Sequence, residues 1–191
     1  MNCHYFTSVL WRNQPEGEYF SPVCIFCIRV MSVKKQWPWK TYAFWILLAE
    51  AVGALSGFLT REGTQRYLET VKKPPLSPSG MVFPIVWSIL FALMGIGAAR
   101  IYLMPASNAR SRALGIFLLQ LGVNFFWSIL FFNLGRYGLA LLWLFLLWGL
   151  VVWMILSFWR LDRPAALLQI PYLLWITFAA YLNWGVWMLN R

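Results

Sequence analysis

The chain has 191 residues, of which 61% are hydrophobic and only 12% charged, and a formal net charge of +10. Soluble domains carry charge on about a quarter of their residues, so this composition excludes an ordinary soluble domain. The Lys and Arg residues gather at the ends of apolar runs, as membrane anchors do, rather than in a stretch built to grip nucleic acid, and no nucleic-acid partner is expected.

Residues 1–33 differ from the rest. They hold all three cysteines (Cys3, Cys24, Cys27) and the only histidine, His4. Cys24 and Cys27 have the CxxC spacing of metal and redox sites. There is no second such pair, no strand–helix context and no finger spacing, so no metal site is expected. The apolar run is too short and interrupted for a signal peptide. Met31-Ser-Val-Lys-Lys followed by a clean apolar run resembles a translation start. Residues 1–33 are therefore read as a disordered or dispensable N-terminal extension, and 34–191 as the membrane domain.

Five apolar runs follow: Thr41–Thr60, Met81–Leu103, Arg112–Phe132, Tyr137–Trp159 and Ala165–Leu189. Each is close to the ~20 residues a helix needs to cross a bilayer, about twice a barrel strand, and none alternates. The expected fold is all-α: a polytopic membrane protein with a five-transmembrane-helix bundle, with the lipid bilayer as its first partner. Ten basic residues (Arg12, Arg29, Lys34, Lys35, Lys40, Arg100, Arg110, Arg112, Arg160, Arg163) fall on the N-terminal side and six (Arg61, Arg66, Lys72, Lys73, Arg136, Arg191) on the other. That asymmetry favours a cytoplasmic N-terminus.

In the first run Glu50 is the one ionisable group near mid-membrane. A carboxyl there is costly and a functional candidate, as a proton site or as counter-ion to a cationic ligand; the structural alternative is a protonated carboxyl bonded to a neighbouring helix. Ala49, Gly53 and Gly57 form a small-residue ridge beside it. The connection 61–80 is rich in proline (Pro74, Pro75, Pro78), hence stiff, and carries Tyr67. In the third run Gln120, Asn124 and Trp127 fall at i, i+4 and i+7 on one stripe. In the fifth, Trp175, Phe178, Ala179 and Asn183 share roughly one face. Chain order places Trp87, Asn124, Trp127, Phe178 and Asn183 in the half of the membrane under that connection, with Trp175 nearer the midplane. The result is an aromatic and amide cavity under a rigid lid, suited to a flat, mostly apolar ligand.

The thirteen tryptophans divide accordingly. Trp37, Trp39, Trp45, Trp159, Trp184 and Trp187 read as interfacial anchors, and Trp143, Trp148 and Trp153 wind around the fourth run. Trp11 lies outside the bundle, and Trp87, Trp127 and Trp175 converge under the lid.

From about Glu50 onward, the stretches KKPPLSPSGMVFPIVWSILFALMG, QLGVNFFWSILFF and PYLLWITFAAYLNWGVWMLN resemble the tryptophan-rich sensory protein / translocator protein family (TspO/MBR, once called the peripheral benzodiazepine receptor). The resemblance implies a five-helix protein of a bacterial-type cell membrane, commonly homodimeric, that binds porphyrins, sterols and synthetic aromatic ligands. By position it implies pocket residues Trp87, Gln120, Asn124, Trp127, Trp175, Phe178, Ala179 and Asn183, with Pro74 in the lid. The chain departs from the family's lid, Trp-Tyr then Lys-Pro-x-Trp-x-Pro-Pro. Arg66-Tyr67, Leu76 and Ser79 cost it two tryptophans and a proline. Trp184 stands where the cholesterol motif has Tyr, and no basic residue follows Tyr181 within five positions, so sterol recognition is not supported.

The expected function is a membrane receptor or carrier for tetrapyrroles, with a sensory or transport role. A light-dependent porphyrin-degrading enzyme is the alternative. The runs hold no His or Cys to ligate haem iron and no nucleophile–base pair, so no catalytic residue and no obligatory cofactor are expected, the porphyrin being ligand. A proton-coupled transporter using Glu50 would lack the usual inverted repeat.

Overall fold

Hydropathy and length place the helices well because in lipid every backbone N–H and C=O must be satisfied within its own segment. The computed structural model describes residues 38–191. The expectations for residues 1–33, with their Cys and His residues, lie outside the described residues, as does Trp37. Seven α-helices follow in order: α1 (Pro38–Leu59), α2 (Arg61–Thr70), α3 (Val82–Tyr102), α4 (Asn108–Ser128), α5 (Tyr137–Trp159), α6 (Arg163–Leu167) and α7 (Ile170–Leu189). A π-helical turn, Ile129–Asn133, continues α4. Among the described residues, five helical segments are long and apolar enough to cross a membrane: Pro38–Leu59, Val82–Tyr102, Asn108–Asn133, Tyr137–Trp159 and Arg163–Leu189. The third starts at Asn108 rather than Arg112 because Ser107 caps it, its hydroxyl accepting the Arg110 N–H at 3.1 Å.

The first connection is not the uniformly stiff loop its prolines imply. Arg61–Thr70 is helix α2, and the prolines follow it. Its sequence, REGTQRYLET, has good helix formers and turns Gly63 and Tyr67 inward.

The spans close in a ring. α1 packs on α3 and α4, α4 on α5, α5 on α7, and α7 touches α3. Lipid tails are as apolar as leucine, so these seams rest on close approach and interhelical hydrogen bonds. At Gly95 a Cβ would lie 2.5 Å from the Ile46 Cα and 2.8 Å from the Trp45 carbonyl oxygen, which brings α3 against the α1 backbone. Trp45 is buried there against Tyr102 and Phe117, so it is a packing residue and not the interfacial anchor its position near a run end implies. At the opposite end from α2, Arg100 and Asp162 pair through two hydrogen bonds of 2.6 and 3.2 Å and tie α3 to the turn before α6. Large exposed apolar residues such as Leu142, Phe145, Trp153 and Leu156 of α5 form the lipid face.

Candidate ligand cavity

Under α2, a cavity of about 570 Å³ lies between α1, α3 and the end of α4. Its aromatic wall comes from Phe83, Trp87 and Phe91 of α3 and from Phe125, Trp127 and Phe132 of the α4 segment. Trp87 stacks on Phe91 with ring centroids 5.4 Å apart, and Trp127 on Phe131 at 5.2 Å. Gly53 leaves room for the Phe91 ring, which a Cβ there would strike. The polar lining is sparse: Glu50 and Ser56 from α1, Thr60 at the junction with α2, Ser88 from α3, Asn124 and Ser128 from α4, and Arg61, Thr64, Gln65 and Tyr67 from α2. Ala54, Gly57, Pro84 and Ser88 on the wall are exposed, so the cavity is open along the α1–α3 side, at membrane depth.

The roof is held tightly. Tyr67 is buried and packs edge-on against Phe132 and tilted against Phe131, while the Lys73 ammonium sits 5.4 Å from its ring centre. Burial, with Tyr137 adding to it, pushes the Tyr67 phenol up to about 12. Gly63 fits against the π-helical turn, where a Cβ would lie 2.5 Å from the Phe132 carbonyl oxygen, and the Asn133 amide donates to the Leu59 carbonyl at 3.0 Å. π-Helical turns of this kind recur at functional sites.

The proline segment is latched to α7 and does not roof the cavity. Pro74 is buried against Gly185, where a Cβ would lie 2.6 Å from the Pro74 ring. Asn190 accepts from the Lys72 N–H at 3.1 Å and donates to the Lys72 carbonyl at 2.9 Å; the Tyr181 hydroxyl donates to the Pro75 carbonyl at 3.3 Å. Sequence reasoning missed Asn190, Gly185 and Tyr181 as partners of the lid, and only the constriction at Gly185 leaves a trace in residue type.

Of the residues expected at the pocket, Trp87, Asn124, Trp127, Tyr67 and Glu50 meet at this cavity. Gln120, Trp175, Phe178, Ala179, Asn183 and Pro74 do not line it. Gln120 is fully buried, accepting from the Tyr172 hydroxyl at 3.0 Å with its amide nitrogen 3.8 Å from the Met94 sulfur. Asn183 accepts the Trp127 indole N–H at 3.3 Å and donates to the Tyr137 carbonyl at 2.8 Å, which uses both ends of its amide. Trp175 packs against Phe83, ring centroids 5.9 Å apart, and against Phe178 at 5.8 Å. Ala179 is buried in the helix seam. Trp143 and Trp148 are used between helices, donating to the Val123 carbonyl and the Thr177 hydroxyl.

A profile of the TspO/MBR family matches residues 45–188. The chain is 36% identical over 156 residues to the tryptophan-rich protein TspO of Chlorobaculum tepidum, covering 78% of this chain and 96% of that one. It is 32% identical over 156 residues to the translocator protein of Bos taurus, covering 81% and 92%. To the tryptophan-rich sensory protein of Cereibacter sphaeroides it is 32% identical over 124 residues, covering 65% and 77%. With five spans in the structure and this match running through all of them, the chain belongs to the TspO/MBR family of integral membrane proteins.

Proposed function

We propose that this protein is a membrane receptor or carrier that binds tetrapyrroles and similar flat hydrophobic ligands, with a sensory or transport role. The names of its relatives, which speak of translocation and of sensing, support the role. The cavity supports the ligand class. Its volume lies within the ~300–1,000 Å³ usual for small-molecule sites, and its wall is aromatic with a few polar groups. Trp87 and Trp127 offer faces on which a planar ring system stacks. Asn124 is buried on the same wall and, unlike Gln120 and Asn183, is not tied to a neighbouring side chain, so its amide is available to a ligand. The open α1–α3 side lets such a ligand arrive from the bilayer.

The same reading places the N-terminal side of the spans in the cytoplasm of a bacterial-type cell, from the excess of Lys and Arg there. It also pairs the chain as a homodimer through the outer face of α4, where a Cβ on Gly115 or Gly122 would meet nothing within 4 Å. Gly53 is already occupied by Phe91 within the chain.

Titrating the purified protein with protoporphyrin in the dark tests the reading, with intrinsic tryptophan fluorescence as readout. Saturable quenching is expected, and its absence would remove the tetrapyrrole assignment. Repeating the titration under illumination separates a carrier, which leaves the porphyrin spectrum unchanged, from a light-dependent degrading enzyme, which does not.

A further inference from the structure

Glu50 gives the cavity a selectivity that its aromatic wall alone would not. It stands nine residues before the end of α1, about 13 Å below the roof at ~1.5 Å per residue. The side chain is half-buried on the cavity wall and has no hydrogen-bond or ion-pair partner among the described residues. The two ion pairs the described residues form lie elsewhere, at Arg61–Glu62 and Arg100–Asp162. A carboxylate at this depth is costly unless a cation or donors meet it. Arg61, which also lines the cavity, is at the roof end, with its guanidinium 4.6 Å from the Phe58 ring centre.

Ser56, on the same wall, is only 6% exposed and its hydroxyl is enclosed by protein, so Glu50 is the deep polar group on α1 that is open to the cavity. The rings of Trp87, Phe91 and Trp127, which line the same cavity, favour positive charge over their faces.

We infer that, among flat ligands of like shape, the cavity favours cationic amphiphiles: an aromatic body carrying a basic nitrogen that inserts toward Glu50. Glu50 is the counter-ion. The inference rests on the reading that this cavity is the ligand site, and it adds a preference for a basic nitrogen between ligands of the same shape.

A matched set of probes tests it on the full-length protein in lipid nanodiscs: 1-pyrenemethylamine, cationic near neutral pH, and 1-pyrenemethanol, its neutral isostere, with protoporphyrin, a dicarboxylate, as the separate test of whether the cavity takes a flat ligand at all. The wild-type protein is expected to bind the amine about tenfold more tightly than the alcohol, read as saturable tryptophan quenching beyond that of empty nanodiscs. That comparison needs no substitution. Glu50→Gln is expected to bring the two probes to within about twofold, and Glu50→Asp to retain much of the preference. Equal binding of amine and alcohol by the wild type overturns the inference, as does a preference that survives Glu50→Gln. If protoporphyrin quenches while neither pyrene saturates, the charge selectivity fails and the cavity reading stands. If none of the three saturates, the cavity reading fails as well.

Discussion

The seam between α4, α5 and α7 and the cavity between α1, α3 and α4 are both furnished with amides and indoles at membrane depth, yet they use them differently. In the seam, Gln120 meets Tyr172 and Met94, and Asn183 joins Trp127 to the Tyr137 carbonyl. Both amides there are consumed, while the buried Trp175 indole N–H on α7 has no partner. In the cavity, Glu50 and Ser56 have no partner among the described residues, and Asn124 faces the same space. A polar residue in a span is therefore glue or site according to whether its hydrogen bonds close within the protein. Trp127 belongs to both regions: its N–H is held by the seam while its ring lines the cavity.

The sharpest way to break this contrast is Asn183→Leu. The substitution leaves the Trp127 N–H and the Tyr137 carbonyl without their partner and should destabilise the bundle by about 2 kcal/mol, measured by unfolding in mixed micelles. Because Asn183 orients the indole, porphyrin affinity should fall too, although Asn183 does not line the cavity. Unchanged stability would mean that the seam is not held by its amides.

Asn124→Leu is the complementary case, one helical turn from Gln120. Stability should stay within about 0.5 kcal/mol of the parent, while porphyrin affinity drops roughly fivefold, the loss of one modest hydrogen bond. A stability loss as large as that of Asn183→Leu would put Asn124 in the seam.

These two asparagines show how far the sequence could be read. Long apolar runs gave the five spans to within a few residues, because length and hydropathy are what a bilayer demands of a helix. Spacing also put Gln120, Asn124 and Trp127 on one stripe of α4. It could not say that the stripe is divided, with Gln120 meeting Tyr172 and Asn124 meeting empty space, since that depends on which helix lies opposite each turn. Trp175 shows the same limit: it is partly buried against Phe83, which lines the cavity, but does not line the cavity itself. Helix α2 was hidden by its context. Three prolines just beyond it dominate the connection, although the ten residues Arg61–Thr70 contain none. The latch through Asn190 was not legible, because it joins positions 118 residues apart through a backbone amide and carbonyl.

A smaller effect tests whether the roof belongs with the packed seam or the open cavity. Tyr67 is buried between Phe131 and Phe132, and its phenol is raised from the ordinary 10 to about 12. Between those values the unfolded chain releases the proton and the folded chain keeps it, so stability is fully present below pH 10 and is lost as pH rises toward 12. Tyr67→Phe should remove that part of the alkaline loss, seen by comparing the two proteins' unfolding midpoints at pH 9 and pH 11. Identical pH dependence in both proteins would mean that the roof opens readily to solvent.

The least effect is expected at Leu76, in the turn between the roof helix and α3. It has φ of +66°, in the left-handed region that a residue with a Cβ enters at a cost, and its side chain is 78% exposed and so gains little by packing. Glycine relieves roughly 1–2 kcal/mol of that steric cost but loses part of it to the greater freedom of the unfolded chain. Leu76→Gly should therefore stabilise the protein by less than about 1 kcal/mol, visible as a small rise in the unfolding midpoint. Because the turn is fastened to α7 through Pro74 and Pro75 and does not line the cavity, porphyrin affinity should be unchanged. A changed affinity would mean that this turn is coupled to the cavity across the latch, and that the roof moves as one piece with the proline segment.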